Sequence, residues 1–255
     1  MLANRLAIKV TLQRALFEFL VIVMGITVAF LVDEWRQERQ EQDLIDQYLV
    51  RLSSEAKNNL WSTRNVRDRF LASKMDALGE VITYARQPDT QEVDLPTLIT
   101  ALNRTNRDVI PWFVKYQYNA FINTGSQRLL NDPELMQVLS STYEADRVLF
   151  SQIEEIRGPY QRFISQLIPA EYQSTNNRLA IYVGNDISAP VINDNEQEQE
   201  LLNKLNHHKP ELLRLARLES DVATATWYAL TRIEQQLELV ITHLEERGYD
   251  GEGVL

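Results

Sequence analysis

Cysteine is absent from the 255-residue chain. Its absence excludes disulfides, thiolate metal sites and cysteine nucleophiles together, and leaves the compartment open, since exported proteins also dispense with it. Glycine and proline number only eight each, which favours long helices over a turn-rich β fold. Histidine is limited to His207, His208 and His243; a metal site wants further ligands, and adjacent histidines point in different directions on a helix. No glycine-rich phosphate loop and no nucleophile elbow occurs. The carboxylate clusters Glu154-Glu155, Glu196-Glu198-Glu200 and Glu245-Glu246 fall on solvent-facing helix positions, unlike the desolvated pair that acid–base catalysis needs. The chain reads as a non-enzyme without metal or cofactor.

Charge is scarce in one place. Leu16 to Val32, LFEFLVIVMGITVAFLV, carries a single charged residue, Glu18. As a helix at about 1.5 Å per residue it spans about 26 Å, slightly short of a hydrocarbon core of about 30 Å. Arg5, Lys9 and Arg14 precede it with no acid before Glu18, while Asp33, Glu34, Glu38, Glu41 and Asp43 follow it. Ala29-Phe30-Leu31-Val32 offers no pair of small residues for signal-peptide cleavage. The expectation is an uncleaved anchor: a cytoplasmic basic segment 1–14, a transmembrane helix 15–32, and an extracytoplasmic domain 33–255, periplasmic in a Gram-negative cell. Trp35 is the expected interface anchor in the outer headgroup layer.

The pattern Glu18, Gly25-Ile26, Ala29, Trp35 and Glu38 resembles the opening of an uncharacterised family of bacterial single-pass membrane proteins, E-x-x-L-V-x-x-G-I-x-x-A-x-x-x-x-x-W-x-x-E. Phe121-Ile122-Asn123-Thr124-Gly125 with Leu129-Leu130-Asn131 is a weaker echo. Asp33-Glu34 stand where that family has neutral polar residues. The resemblance implies an anchor in the bacterial inner membrane and supplies no activity.

The remainder predicts an all-α fold, with the membrane helix continuing into a long helix and then a helical bundle. No glycine or proline lies between Gly25 and Gly79, so a stalk or bundle helix is expected over 33–86. Ile45, Tyr48, Leu49, Leu52, Ala56, Leu60, Thr63, Val66, Phe70 and Leu71 form one apolar stripe along it. That stripe also resembles a coiled-coil seam, weakened by Asn58 and Asn59. Middle helices occupy 95–168, with Asp94 capping before Pro96 and Asp132 before Pro133. Gly158-Pro159 breaks the run. Trp112 to Tyr118 alternates like a strand, yet Trp112, Tyr116 and Phe121 suit a helix closed by Gly125; helix is chosen. An irregular loop covers 169–195, with a possible hairpin pairing 179–183 with 189–192. One C-terminal helix, or a pair separated near Pro210, covers 196–247. Leu212, Leu215, Leu218, Val222, Ala225, Ala229, Ile233, Leu237 and Ile241 stripe it, and this stripe is expected to pack on the first. The last seven residues read as frayed.

Candidate sites are few. Glu18, Ile22, Gly25 and Ala29 share a face of the membrane helix, where Gly25-xxx-Ala29 allows close helix approach. Glu18 either joins that contact or pairs with Arg14 one turn back. Trp112, Tyr116 and Tyr118 could line a pocket, or belong to the core. Setting aside Arg5, Lys9, Arg14 and Glu18 from 26 basic and 36 acidic groups leaves 23 against 35, a net −12. Such a domain repels nucleic acid. Expected partners are the lipid bilayer and either copies of the chain or other membrane subunits. A structural or accessory protein fits best; the alternative is an extracytoplasmic ligand-sensing domain signalling through a partner. A flat apolar patch would favour the first, and a pocket near Trp112 the second.

Overall fold

The computed structural model describes residues 2–107, 111–130, 132–156, 158–173 and 195–251, with the side chains of 2–18, 145–156 and 195 left undescribed. The described residues are all-helical, with no strand among them. The possible hairpin at 179–192, and the Glu18 side chain with its choice of partner, lie outside them.

A continuous helical rod runs from Leu2 to Arg86: α1 (Leu2–Asn65), a π turn (Val66–Leu71) and α2 (Ala72–Arg86). The π turn answers a flaw in the apolar repeat. Val66 and Leu71 are both buried and five residues apart, the spacing of a π turn. The extra residue of a π turn leaves Arg69 exposed and restores the stripe through Leu78 and Val81.

Only the rod from Ile45 onward enters the bundle. Phe19 to Val32 stands in the open, every large apolar side chain from Phe19 to Val32 exposed. Described side chains begin at Phe19, inside the expected span 15–32. The fourteen residues Phe19–Val32 cover about 21 Å, and among the described residues no helix is long and apolar enough to cross a membrane.

The remaining helices are α3 (Leu95–Thr105), α4 (Tyr116–Asn123), α5 (Pro133–Ile156), α6 (Pro159–Leu167), α7 (Asn195–His207) and α8 (Lys209–Glu246). Asp94 caps α3, its carboxylate accepting from Thr97 N (3.5 Å), and Asp132 caps α5, accepting from Leu135 N at 2.9 Å. Gly125 (φ 76°) and Gly248 (φ 85°) sit in the left-handed region that ends a helix. Trp112 to Lys115 is not helical; α4 begins only at Tyr116, shorter than expected.

α8 lies along α1, the π turn and α2 in turn and also packs on α5. Ile45, Leu49, Leu52 and Leu78 meet Leu212, Leu230, Leu237 and Leu244 in one core. Burial of this apolar area, at about 25 cal/mol per Å², is the main driving force for the fold. Ion pairs run down the flank: Lys57 with Glu245 (2.9 Å), and Arg64 and Arg67 with Glu234. Two expected core positions fail. Leu218 is 41% exposed, Ala225 faces solvent, and the buried face runs through Leu215, Glu219, Val222, Thr226 and Leu230. Two polar residues sit inside the true stripe, so counting apolar residues alone displaced it.

The C-terminal tail is not frayed through its first three residues. Tyr249 Oη donates to Asp46 (2.9 Å), Asp250 pairs with Lys57, and Gly251 is buried against α1, its N–H donating to Ser53 Oγ at 3.2 Å. A Cβ on Gly251 would lie 2.6 Å from Ser54 N and closer still to Val50 O.

Candidate functional site

The expected membrane contact residues Ile22, Gly25 and Ala29 are all exposed. Ile22 is 60% exposed, and a Cβ added to Gly25 would meet no atom within 4 Å. Trp35 is exposed too, with the Arg39 guanidinium 5.5 Å from its ring centre. These residues line a bare helix, and the described protein supplies no partner for it.

The aromatic segment is split. Tyr118 is buried and stacks on Tyr143 with ring centres 4.6 Å apart and planes within 6°. Trp112 and Tyr116 are 65% and 73% exposed, so the three line no common pocket. From Pro111 to Tyr116 burial alternates: Pro111 is buried and Phe113 and Lys115 half-buried, while Trp112, Val114 and Tyr116 face outward. An extended backbone places alternate side chains on opposite sides. The strand-like alternation of the sequence therefore survives, without a sheet.

What holds this segment straight is α1. Asn59, buried, donates through Nδ2 to Val114 O (2.7 Å) and accepts from Val114 N (2.8 Å), taking the place of a neighbouring strand. Four residues earlier, buried Glu55 accepts from Gln117 N (2.7 Å) and Tyr118 N (3.3 Å). These are N-terminal amides of α4, whose start otherwise has no side-chain cap. A carboxylate there satisfies orphan donors and meets the positive end of the helix dipole. Lys115 Nζ donates to the Tyr143 carbonyl. Desolvation pushes the Glu55 carboxyl above the usual range, against the pull of those amide bonds. The Tyr143 hydroxyl lies wholly buried beside Glu55, and burial followed by the Glu55 charge pushes it well up.

A second polar cluster crosses the bundle. Lys74 on α2 and Glu219 on α8 form an ion pair at 2.5 Å, the side chains 3% and 4% exposed. Lys74 also donates to the Arg107 carbonyl (3.1 Å), and Gln161 Nε2 donates to Glu219 at 3.5 Å. The Tyr160 hydroxyl nearby lies 2.7 Å from Thr105 Oγ1, and desolvation raises it far above its ordinary value. Among the described residues no group of histidines and carboxylates could hold a metal ion. His207 and His208 pack against each other, His208 edge-on to Phe163, and His243 faces Arg247.

The sequence reading missed Glu55, Asn59, Lys74 and Glu219. The available signal was polarity at stripe positions: each sits where the helical repeat demands an apolar residue.

No protein-family model, curated protein or solved structure matches the chain.

Proposed function

We propose that this chain is a membrane-anchored accessory protein, held in the bacterial inner membrane by the N-terminal part of α1. Its helical domain is extracytoplasmic and engages a second protein surface, either another copy or a subunit of a membrane complex. The observation that carries this reading is the open helix from Phe19 to Val32, apolar on all sides and packed against nothing in the described chain. An apolar surface that wraps a helix completely needs an apolar solvent. The resemblance of Glu18, Gly25-Ile26, Ala29, Trp35 and Glu38 to a single-pass family supports the same location.

The assembly half rests on the ridge Trp112, Val114 and Tyr116. Tryptophan and tyrosine dominate binding hot spots, and here they are exposed on a backbone that Asn59 and Glu55 hold rigid. A pre-ordered contact loses little entropy on binding. The 27 residues from Val32 to Asn59 rise about 40 Å along the helix, which carries the ridge well clear of headgroups and suits a protein partner. A sensing role has one supporting feature, a groove beside the π turn.

The test is native electrophoresis of gently extracted membranes, comparing the parent with Trp112→Ser/Tyr116→Ser. Both side chains face solvent, so the variant should keep the parent's melting temperature and lose the larger species. An unchanged complex, or a parent that runs as a bare monomer, would remove the assembly half of the proposal.

A further inference from the structure

We propose that the groove between α2 and α8, just past the π turn, is a binding site for a small organic cation with an apolar body, an aryl-alkyl ammonium in size and character. The groove has a volume of about 350 Å³ and is lined by Ala72, Met75, Asp76, Thr224, Trp227 and Tyr228. That volume falls at the small end of ligand pockets. Its existence follows from the backbone: the π turn Val66–Leu71 resets the face that α2 presents to α8, and Ala72 and Thr224 then leave the space unfilled.

The lining selects the chemistry. Trp227, Tyr228 and Met75 supply aromatic faces and a polarisable thioether, a surface that suits a flat apolar body and attracts positive charge. Trp227 already receives one cation, the Arg67 guanidinium 5.6 Å from its ring centre. Arg67 brings no net positive charge to the groove, because it is paired with Glu234 and with Asp68. Around it, Arg64 is paired with Glu234 and Glu238, and Lys74 with Glu219. Among the residues that line the groove Asp76 alone is charged, and it is exposed at the groove's edge. The charge of the lining is thus negative and sits beside aromatic rings. A chain of net charge −10 further concentrates cations at its surface. An anion would meet Asp76, and a neutral analogue would forgo both electrostatic contacts.

Titration calorimetry on the whole detergent-solubilised protein tests this with three probes of one shape: phenethylammonium, 2-phenylethanol and 3-phenylpropionate. The ammonium should bind about tenfold more tightly than the alcohol, the combined weight of one exposed cation–π and one carboxylate contact, and the propionate should give no heat. Asp76→Asn should bring the ammonium down to the alcohol's affinity. Tyr228→Ala, which removes an exposed ring and so spares the fold, should weaken both the ammonium and the alcohol several-fold, whereas Trp61→Leu, at an exposed ring outside the groove, should change neither. Equal affinity of ammonium and alcohol in the parent would overturn the proposal, as would no binding by any probe or full ammonium affinity in Asp76→Asn.

Discussion

Lys74 and Glu219 are the residues on which the bundle's interior is most exposed to mutation. Each is almost wholly buried, and each is the other's countercharge. Removing Lys74 leaves the Glu219 charge desolvated without its ion-pair partner, which costs about 3–5 kcal/mol, while replacing both members of a buried pair with apolar residues is often close to neutral. Lys74→Met alone should therefore lower the unfolding free energy by about that amount, and Lys74→Met/Glu219→Leu should recover most of it. Denaturant melts of the four proteins of the cycle decide; a single variant within about 1 kcal/mol of the parent would show that the pair is not desolvated. Glu55 makes a different forecast, in pH. A carboxyl whose folded-state pKa lies above its unfolded value holds more protons folded than unfolded, so stability falls as pH rises through that window. For Glu55 the window opens at the ordinary value of 4.5 and extends upward to the raised value. Thermal melts across it should show Glu55→Gln with a flatter decline than the parent. Identical slopes would mean that the α4 amides hold the carboxylate charged at no net cost.

At the scale of elements, the C-terminal strap and the π turn govern how the long rod meets the bundle. Tyr249, Asp250 and Gly251 bind α1 between Asp46 and Lys57, close to where the rod leaves the core at Ile45. Gly251→Val would drive side-chain atoms into the α1 backbone, an overpacking that costs about 1–3 kcal/mol or expels the strap. Hydrogen exchange should then accelerate in Val50–Lys57 and leave α3 unchanged; unaltered protection there would show that the strap contributes nothing. Much of this level was legible in the sequence. Caps at Asp94 and Asp132, the break at Gly158-Pro159 and the pairing of the two long stripes all follow from local spacing, and the helices obey them. The misses have physical reasons. Leu218 belongs to an apolar repeat that the fold does not use, because Glu219 and Thr226 occupy the true inward face. The π turn shifts phase without leaving a glycine or proline as a mark. The cap on α4 comes from Glu55, more than sixty positions earlier in the chain, and no local rule can find it.

For the whole molecule, the open apolar helix and the bundle make opposite demands on solvent, and the proposed membrane anchor answers both. The candidate site was legible only as a list of residue types there: the sequence pointed to Trp112 and Tyr116, but not to their exposure, since burial depends on a register set by Asn59. The absence of cysteine makes the topology directly measurable. Single cysteines introduced as Ala3→Cys and Glu246→Cys, each in the otherwise cysteine-free chain, would be treated with a membrane-impermeant maleimide in intact spheroplasts and again after permeabilisation. With an anchored chain whose domain lies outside, the protein stays in carbonate-washed membranes, the cysteine at 246 reacts in intact spheroplasts, and the one at position 3 reacts only after permeabilisation. Recovery of the chain in the soluble fraction, or labelling in the reverse order, would contradict the membrane-anchored, outward-facing arrangement.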